Sequence, residues 1–125
     1  MAIRINLRFT PESEAISEAR HALDRLADVL PGKLDDVRLV VSELVTNSVL
    51  HAGLSPDDQI WLSVEASAVS VRGRVCDPGP GFRKPSKLGP RPDFSGGWGL
   101  PIVDRIFDRW GVERNSCACV RFEID

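Results

Sequence analysis

Three polar side chains recur at intervals of four residues in one segment of the chain: Glu43, Asn47 and His51. Because an α-helix has 3.6 residues per turn, this spacing predicts one narrow polar stripe two turns long. The larger apolar set is centred about a quarter turn or more away, on Leu34, Val37, Val41 and Leu44. A carboxylate and a carboxamide at the rim of a buried face could orient a water and ligate a hard cation such as Mg²⁺. A solvated helix edge with a capping histidine is the alternative interpretation.

A second candidate lies at the end of a predicted strand, where Asp77 is followed by Gly79 and Gly81. Glycine permits close backbone approach and positive φ, and a carboxylate there can accept a hydrogen bond from an amino group such as that of adenine. A tight turn capped by an aspartate would have the same sequence, so both interpretations stay open.

A third candidate is the glycine turn Gly97-Trp98-Gly99 in front of a predicted helix. Free N–H groups at a helix N-terminus, together with the helix dipole, favour phosphate binding. Basic side chains in the preceding loop could reach the same phosphates or could form a solvated charge run: Arg83, Lys84, Lys87 and Arg91.

Periodicity predicts the elements that would position these residues. Alternation indicates strands at 3–9, 60–66 and 69–75, and helical spacing indicates helices at about 11–29 and 34–52. An aperiodic loop then leads to a third helix that opens at Gly97–Pro101 and ends at Trp110-Gly111-Val112, followed by a strand from Val112 and a last strand over 117–124. The order β-α-α-β-β-α-β-β predicts an α+β two-layer sandwich, a mixed, mostly antiparallel sheet covered on one face by three helices.

Composition restricts the class of protein. The 125 residues are enough for one core, so 1–125 is predicted as a single domain. A net charge of −2 argues against a general nucleic-acid binder. The absence of a long apolar run or a signal-peptide core predicts a cytoplasmic protein without a membrane anchor. Three cysteines without a second pair or a histidine cluster are predicted to be reduced thiols.

Together the three polar segments resemble the N, G1 and G2 boxes of the histidine-kinase-like ATPase superfamily. The short form, with Asp104 to Val112 behind the third box, looks most like the bacterial anti-sigma-factor serine kinases. The resemblance implies a Bergerat-type ATP-binding fold in which Glu43 is the catalytic base, Asn47 ligates Mg²⁺ and Asp77 binds the adenine amino group. It also implies that a further set of residues shapes the nucleotide pocket and lid: Gly79, Gly81, Gly97, Gly99 and Leu100.

The resemblance implies a cytoplasmic anti-sigma factor that uses ATP and Mg²⁺ to phosphorylate an anti-sigma-factor antagonist on serine or threonine. The implied partners are that antagonist and a sigma factor, and a homodimer is implied as well. A non-catalytic ATP-dependent partner-binding module is the alternative from another class. A detached histidine-kinase ATPase domain is a further alternative, although 125 residues leave no room for a dimerisation hairpin carrying a phosphoacceptor histidine.

Overall fold

A computed structural model describes residues 2–30, 32–79, 108–114 and 117–124. Within these ranges the chain forms five strands, two α-helices and one 3₁₀ turn. In chain order they are β1 (Ile3–Phe9), α1 (Glu14–Ala22), the 3₁₀ turn (Leu23–Leu26), α2 (Leu34–His51), β2 (Ile60–Ala66), β3 (Val71–Asp77), β4 (Arg109–Arg114) and β5 (Ala118–Ile124). The third predicted helix, like Gly81, Gly97, Gly99 and Leu100, lies outside the described residues.

The five strands form one sheet in the order β1-β2-β3-β5-β4. All four described strand pairings are antiparallel, so the prediction of a mixed sheet is wrong for this part of the chain. Alternation along each strand sends one set of side chains to the core and the other to the opposite face. In β3, Val71 and Val75 are buried, whereas Arg72 and Arg74 on the opposite face are not.

Helices α1 and α2 supply the second layer of the core. The described core contains side chains from both helices and from every strand, including Ala19, Val37, Val41, Val45, Leu62, Val64, Trp110 and Phe122. An ion pair joins Arg38 of α2 to Asp24 in the 3₁₀ turn after α1.

The first helix is shorter than predicted at both ends. It begins at Glu14 instead of Pro11, because the Glu12 amide donates to the Thr10 carbonyl at 2.8 Å and forms a turn. It ends at Ala22, and the 3₁₀ turn then brings Leu23 and Leu26 into the core. Ala15 and Ala19 of α1 are buried in the core, whereas Ile16 is only partly buried.

Two strands also begin at other residues than predicted. Val69 is 76% exposed, and the Ser67 amide donates to the Ser70 carbonyl at 2.8 Å, so the turn extends to Ser70 and β3 begins at Val71. Strand β4 begins at Arg109 instead of Val112. Trp110 pairs with Phe122 of β5 and is buried, which fixes this residue in the sheet rather than at the end of a helix.

The prediction of three reduced thiols is also wrong. Cys76 of β3 lies directly opposite Cys119 of β5 in the sheet register, and the two form a disulfide with their Cα atoms 4.0 Å apart. Cys117 remains a free, half-buried thiol. The pairing depends on β5 lying next to β3, which the spacing of the cysteines along the chain does not reveal.

Within the described ranges, no helix combines the length and the apolar character needed to cross a bilayer.

Candidate functional site

The C-terminal half of α2 carries the first group of candidate residues, as predicted. Glu43, Asn47 and His51 all lie on this helix, which ends at His51. Glu43 is half-buried, whereas Asn47 is only 4% exposed and so lies deeper than the rim position that the periodicity predicts. The structure does not describe the side chain of His51.

Asp77, at the end of β3, accepts a hydrogen bond at each of its carboxylate oxygens, and one of the two bonds joins it to the same helix. The Ser48 hydroxyl donates to Oδ2 at 2.6 Å, and the Gly79 amide donates to Oδ1 at 2.8 Å. The carboxylate is buried, at 9% exposure for the residue. Because an ionised carboxylate has about four acceptor positions, these two bonds fix its orientation and leave acceptor capacity for a ligand.

Gly79 is required at its position because of close approach. A Cβ atom there would lie 2.7 Å from the Ala52 carbonyl oxygen and 2.9 Å from Asp77 Oδ1. The sequence suggested either close approach or positive φ, and the structure decides for close approach. The positive φ among the described glycines belongs to Gly53, at 67°, just after the end of α2.

Ser48 holds the candidate residue Asp77 and was not predicted from the sequence, although the sequence contains a signal for it. At four residues after Leu44 it continues the apolar stripe of α2, and it is only 4% exposed. A buried hydroxyl on an apolar stripe must find a partner. Periodicity shows that a partner is needed, but only the packing of α2 on β3 shows that the partner is Asp77.

Two neighbouring hydroxyls on α2 behave differently from Ser48. Thr46 Oγ1 donates to the Ser42 carbonyl at 2.6 Å, and Ser42 Oγ donates to the Leu39 carbonyl at 3.0 Å. Both bonds stay within the helix and belong to the local type that serine and threonine commonly make. Ser48 is therefore distinguished by a long-range bond to a strand-end carboxylate.

The described site thus provides two kinds of chemistry. Asp77 offers an oriented acceptor for an N–H donor, and the Asn47 carboxamide offers a neutral oxygen of the kind that binds hard cations. Mg²⁺ commonly takes only one or two protein ligands and keeps the remaining positions for phosphate and water, so one carboxamide fits such an ion. The predicted phosphate-binding turn at Gly97 and Gly99 stays a prediction.

Comparison with known proteins gives the class of this chain. The family model described as the histidine kinase-like ATPase domain matches residues 9–124, and the chain belongs to this family. The resemblance inferred from the three boxes is therefore confirmed.

Two relatives are named anti-sigma F factor, from Clostridium botulinum strains Eklund 17B (Type B) and Alaska E43 (Type E3). Each is 31% identical over 120 residues, which cover 88% of this chain and 84% of the relative. Among solved structures, the chain is similar to the crystal structure of the RsbU and RsbW domains of Rv1364c from Mycobacterium tuberculosis, with a TM-score of 0.68 and 16% identity. That likeness covers 98% of this chain but only 32% of the other, and it confirms the α+β fold alone.

Proposed function

We propose that this chain is an ATP-dependent anti-sigma factor that phosphorylates an anti-sigma-factor antagonist on serine or threonine. The single observation that carries the proposal is the buried Asp77 carboxylate, held by Ser48 and Gly79 beside the helix that bears Glu43 and Asn47. Membership of the histidine kinase-like ATPase family supports ATP as the ligand. The relatives named anti-sigma F factor support the regulatory role.

Asp77 is assigned to the adenine base. Its oriented carboxylate accepts a hydrogen bond from the exocyclic amino group of adenine. Guanine has a carbonyl oxygen at the same position, so two acceptors would face each other at a cost of about 1–3 kcal/mol. We therefore expect ATP to bind at least about tenfold more tightly than GTP.

Asn47 is assigned to Mg²⁺. When bound, the ion neutralises charge on the phosphates of the nucleotide. The buried position of Asn47, one residue before the serine that holds Asp77, would fix its carboxamide oxygen relative to the base site. Asn47→Ala should weaken ATP binding in Mg²⁺ buffer, and calorimetry showing equal affinity would remove the metal role.

Glu43 is assigned as the general base. It lies one helical turn before Asn47, on the same stripe of α2, and its half-buried carboxylate can reach an incoming hydroxyl. In the proposed step the acceptor hydroxyl oxygen forms a bond to the γ-phosphorus and the bond to the ADP oxygen breaks. The hydroxyl proton passes to Glu43.

The proposed partners are a phosphorylatable antagonist, the substrate, and a sigma factor, which is released when the antagonist is captured. A homodimer and a cytoplasmic location belong to the same proposal. Both rest on the family and on the relatives named anti-sigma F factor.

Glu43→Gln tests the catalytic part of the proposal. The variant keeps the shape of the side chain and removes the basic carboxylate, so ATP affinity and folding should survive. Single-turnover phosphoryl transfer to a co-purified partner should fall by about 10²-fold or more. Glu18→Gln is the matched control, because Glu18 is exposed on α1, and it should transfer like the wild type.

Two other outcomes would change the conclusion. Unchanged transfer by Glu43→Gln would refute the base assignment. No transfer by the wild type, despite tight binding of ATP and of the partner on the same preparation, would favour the non-catalytic module.

A further inference from the structure

Three cysteines lie together on the face of the sheet opposite the helices. Asp77 reaches α2 through Ser48, so the alternation of β3 directs the preceding Cys76 to the other face. Cys119 lies opposite Cys76 in β5, and Cys117 lies two residues before Cys119, on the same side. The three sulfur atoms all lie within 4.8 Å of one another.

The spacing of these sulfurs fits a shared metal ion. Thiolates bind Zn²⁺ at about 2.3 Å, which places neighbouring sulfurs of a tetrahedral site about 3.8 Å apart. The Sγ atoms of Cys117 and Cys119 are 3.7 Å apart without being bonded. Once the disulfide is open, the Cys76 sulfur can take a similar separation, because directly opposed residues have Cβ atoms about 4.5–5.5 Å apart.

We propose that Cys76, Cys117 and Cys119 form a three-thiolate site for a thiophilic cation, Zn²⁺ or Cu⁺, which the Cys76–Cys119 disulfide closes. A dithiol reductant supplies two electrons and two protons, and it leaves as its own disulfide while the chain gains two thiols. Metal binding then displaces the thiol protons. The disulfide form retains one free thiol and cannot supply the site.

Glu113 of β4 is the residue on which we expect Zn²⁺ binding and Cu⁺ binding to depend differently. It lies opposite Cys119 in the sheet register, and its Oε1 is buried without a hydrogen-bond partner within the described part of the chain. Guanidinium nitrogens of Arg74 and Arg121 stand 3.7 and 3.6 Å from that oxygen. Zn²⁺ ordinarily takes four ligands, so the three sulfurs leave one position open, whereas soft thiolate ligands alone suit Cu⁺. The Glu113 carboxylate lies outside the three-sulfur cluster and would fill that position only by moving away from Arg74 and Arg121.

The test uses the whole chain and the metal alone. Reduced, desalted protein is titrated anaerobically with Zn²⁺ and, separately, with Cu⁺ against chromophoric chelators, and the disulfide form, verified by mass, is titrated in parallel. Reduced wild type should bind one equivalent, and the disulfide form should bind neither ion tightly. Cys117→Ser and Cys76→Ser should each weaken binding by more than about 100-fold, since loss of a direct ligand exceeds the 10–100-fold typical of outer partners.

Ser63→Ala is the matched control. Ser63 lies in β2 on the same face of the sheet, opposite Arg74, and its loss should leave metal affinity unchanged. Circular dichroism of each variant separates a lost ligand from a lost fold. Weaker Zn²⁺ binding with unchanged Cu⁺ binding in Glu113→Gln would support Glu113 as the fourth ligand, and equal Zn²⁺ binding would overturn that assignment.

The site is overturned if the reduced wild type binds neither ion more tightly than folded Cys117→Ser. Equal binding by the reduced and disulfide forms would overturn it as well. No nucleotide enters these measurements, so failure of the proposed kinase function would leave the result intact.

Discussion

Replacing Ser48 by alanine removes one of the two bonds that orient Asp77. The hydroxyl donates to Asp77 Oδ2 at 2.6 Å, and both residues are buried. After this substitution the carboxylate keeps the hydrogen bond from the Gly79 amide to Oδ1. The perturbation therefore acts on the position of the carboxylate and leaves its identity unchanged.

The expected magnitude follows from the charge on the acceptor. A hydrogen bond to a charged group contributes about 1.5–3 kcal/mol. With a urea slope of about 2 kcal/mol per M for a domain of this size, the midpoint of unfolding should fall by about 1 M. If the carboxylate reads adenine, its loss of orientation should also lower the preference for ATP over GTP by about tenfold.

Ser42→Ala is the matched control, because it is the same substitution on the same helix. Ser42 is buried too, but its hydroxyl donates to the Leu39 carbonyl within α2 instead of to Asp77. Alanine has the higher helix propensity, so this control should be close to neutral. Urea denaturation and a competition titration of ATP against GTP on both variants complete the assay.

The reasoning fails if Ser48→Ala and Ser42→Ala have the same unfolding midpoint and the same nucleotide preference. A loss of stability without any change in nucleotide preference would support the hydrogen bond between Ser48 and Asp77, but it would contradict the assignment of Asp77 to adenine recognition.

Three further predictions concern the strand end and the sheet. Gly79→Ala should lower ATP affinity by about tenfold or more, because its Cβ would collide with backbone and displace the amide that holds Asp77; equal affinity in calorimetry would contradict this. Gly73→Ala should destabilise by about 1–3 kcal/mol in urea, since its Cβ would lie 2.6 Å from Phe122 Cζ and 2.8 Å from a backbone oxygen; a neutral result would mean that the sheet can shift. The hydrogen bond from Arg109 lowers the pKa of Glu123 below its ordinary value of 4.5. The ion pair therefore contributes to the free energy of unfolding above that pH, and this contribution is lost as the pH falls through the lowered pKa. Glu123→Gln should remove this part of the acid dependence of unfolding, and identical pH profiles of the variant and the wild type would refute the prediction.

Much of the framework could be predicted from the sequence because it depends on local periodicity. Strand β1, helix α2 and strand β2 lie where alternation and helical spacing place them, to within one residue. The positions of Glu43 and Asn47 on one stripe follow from the same geometry. The family could also be recognised, because its boxes consist of residue types at fixed spacing along the chain.

Element ends were predicted less well, since they depend on long-range partners. Trp110 belongs to β4 because it pairs with Phe122, twelve residues later, and closes the core. The first helix gives way to a 3₁₀ turn where Leu23 and Leu26 enter the core. Helix propensity alone contains no information about either contact.

Local periodicity shows which residue types are available and on which faces of which elements they lie. Which of these residues meet depends on how the elements pack together. Ser48 reaches Asp77 because α2 packs across the end of β3, and Cys76 reaches Cys119 because β5 inserts between β3 and β4. Periodicity reports on residues that are close along the chain. Ser48 and Asp77 are 29 positions apart and Cys76 and Cys119 are 43 positions apart, so both contacts form only when the helix and the strands have packed in this order.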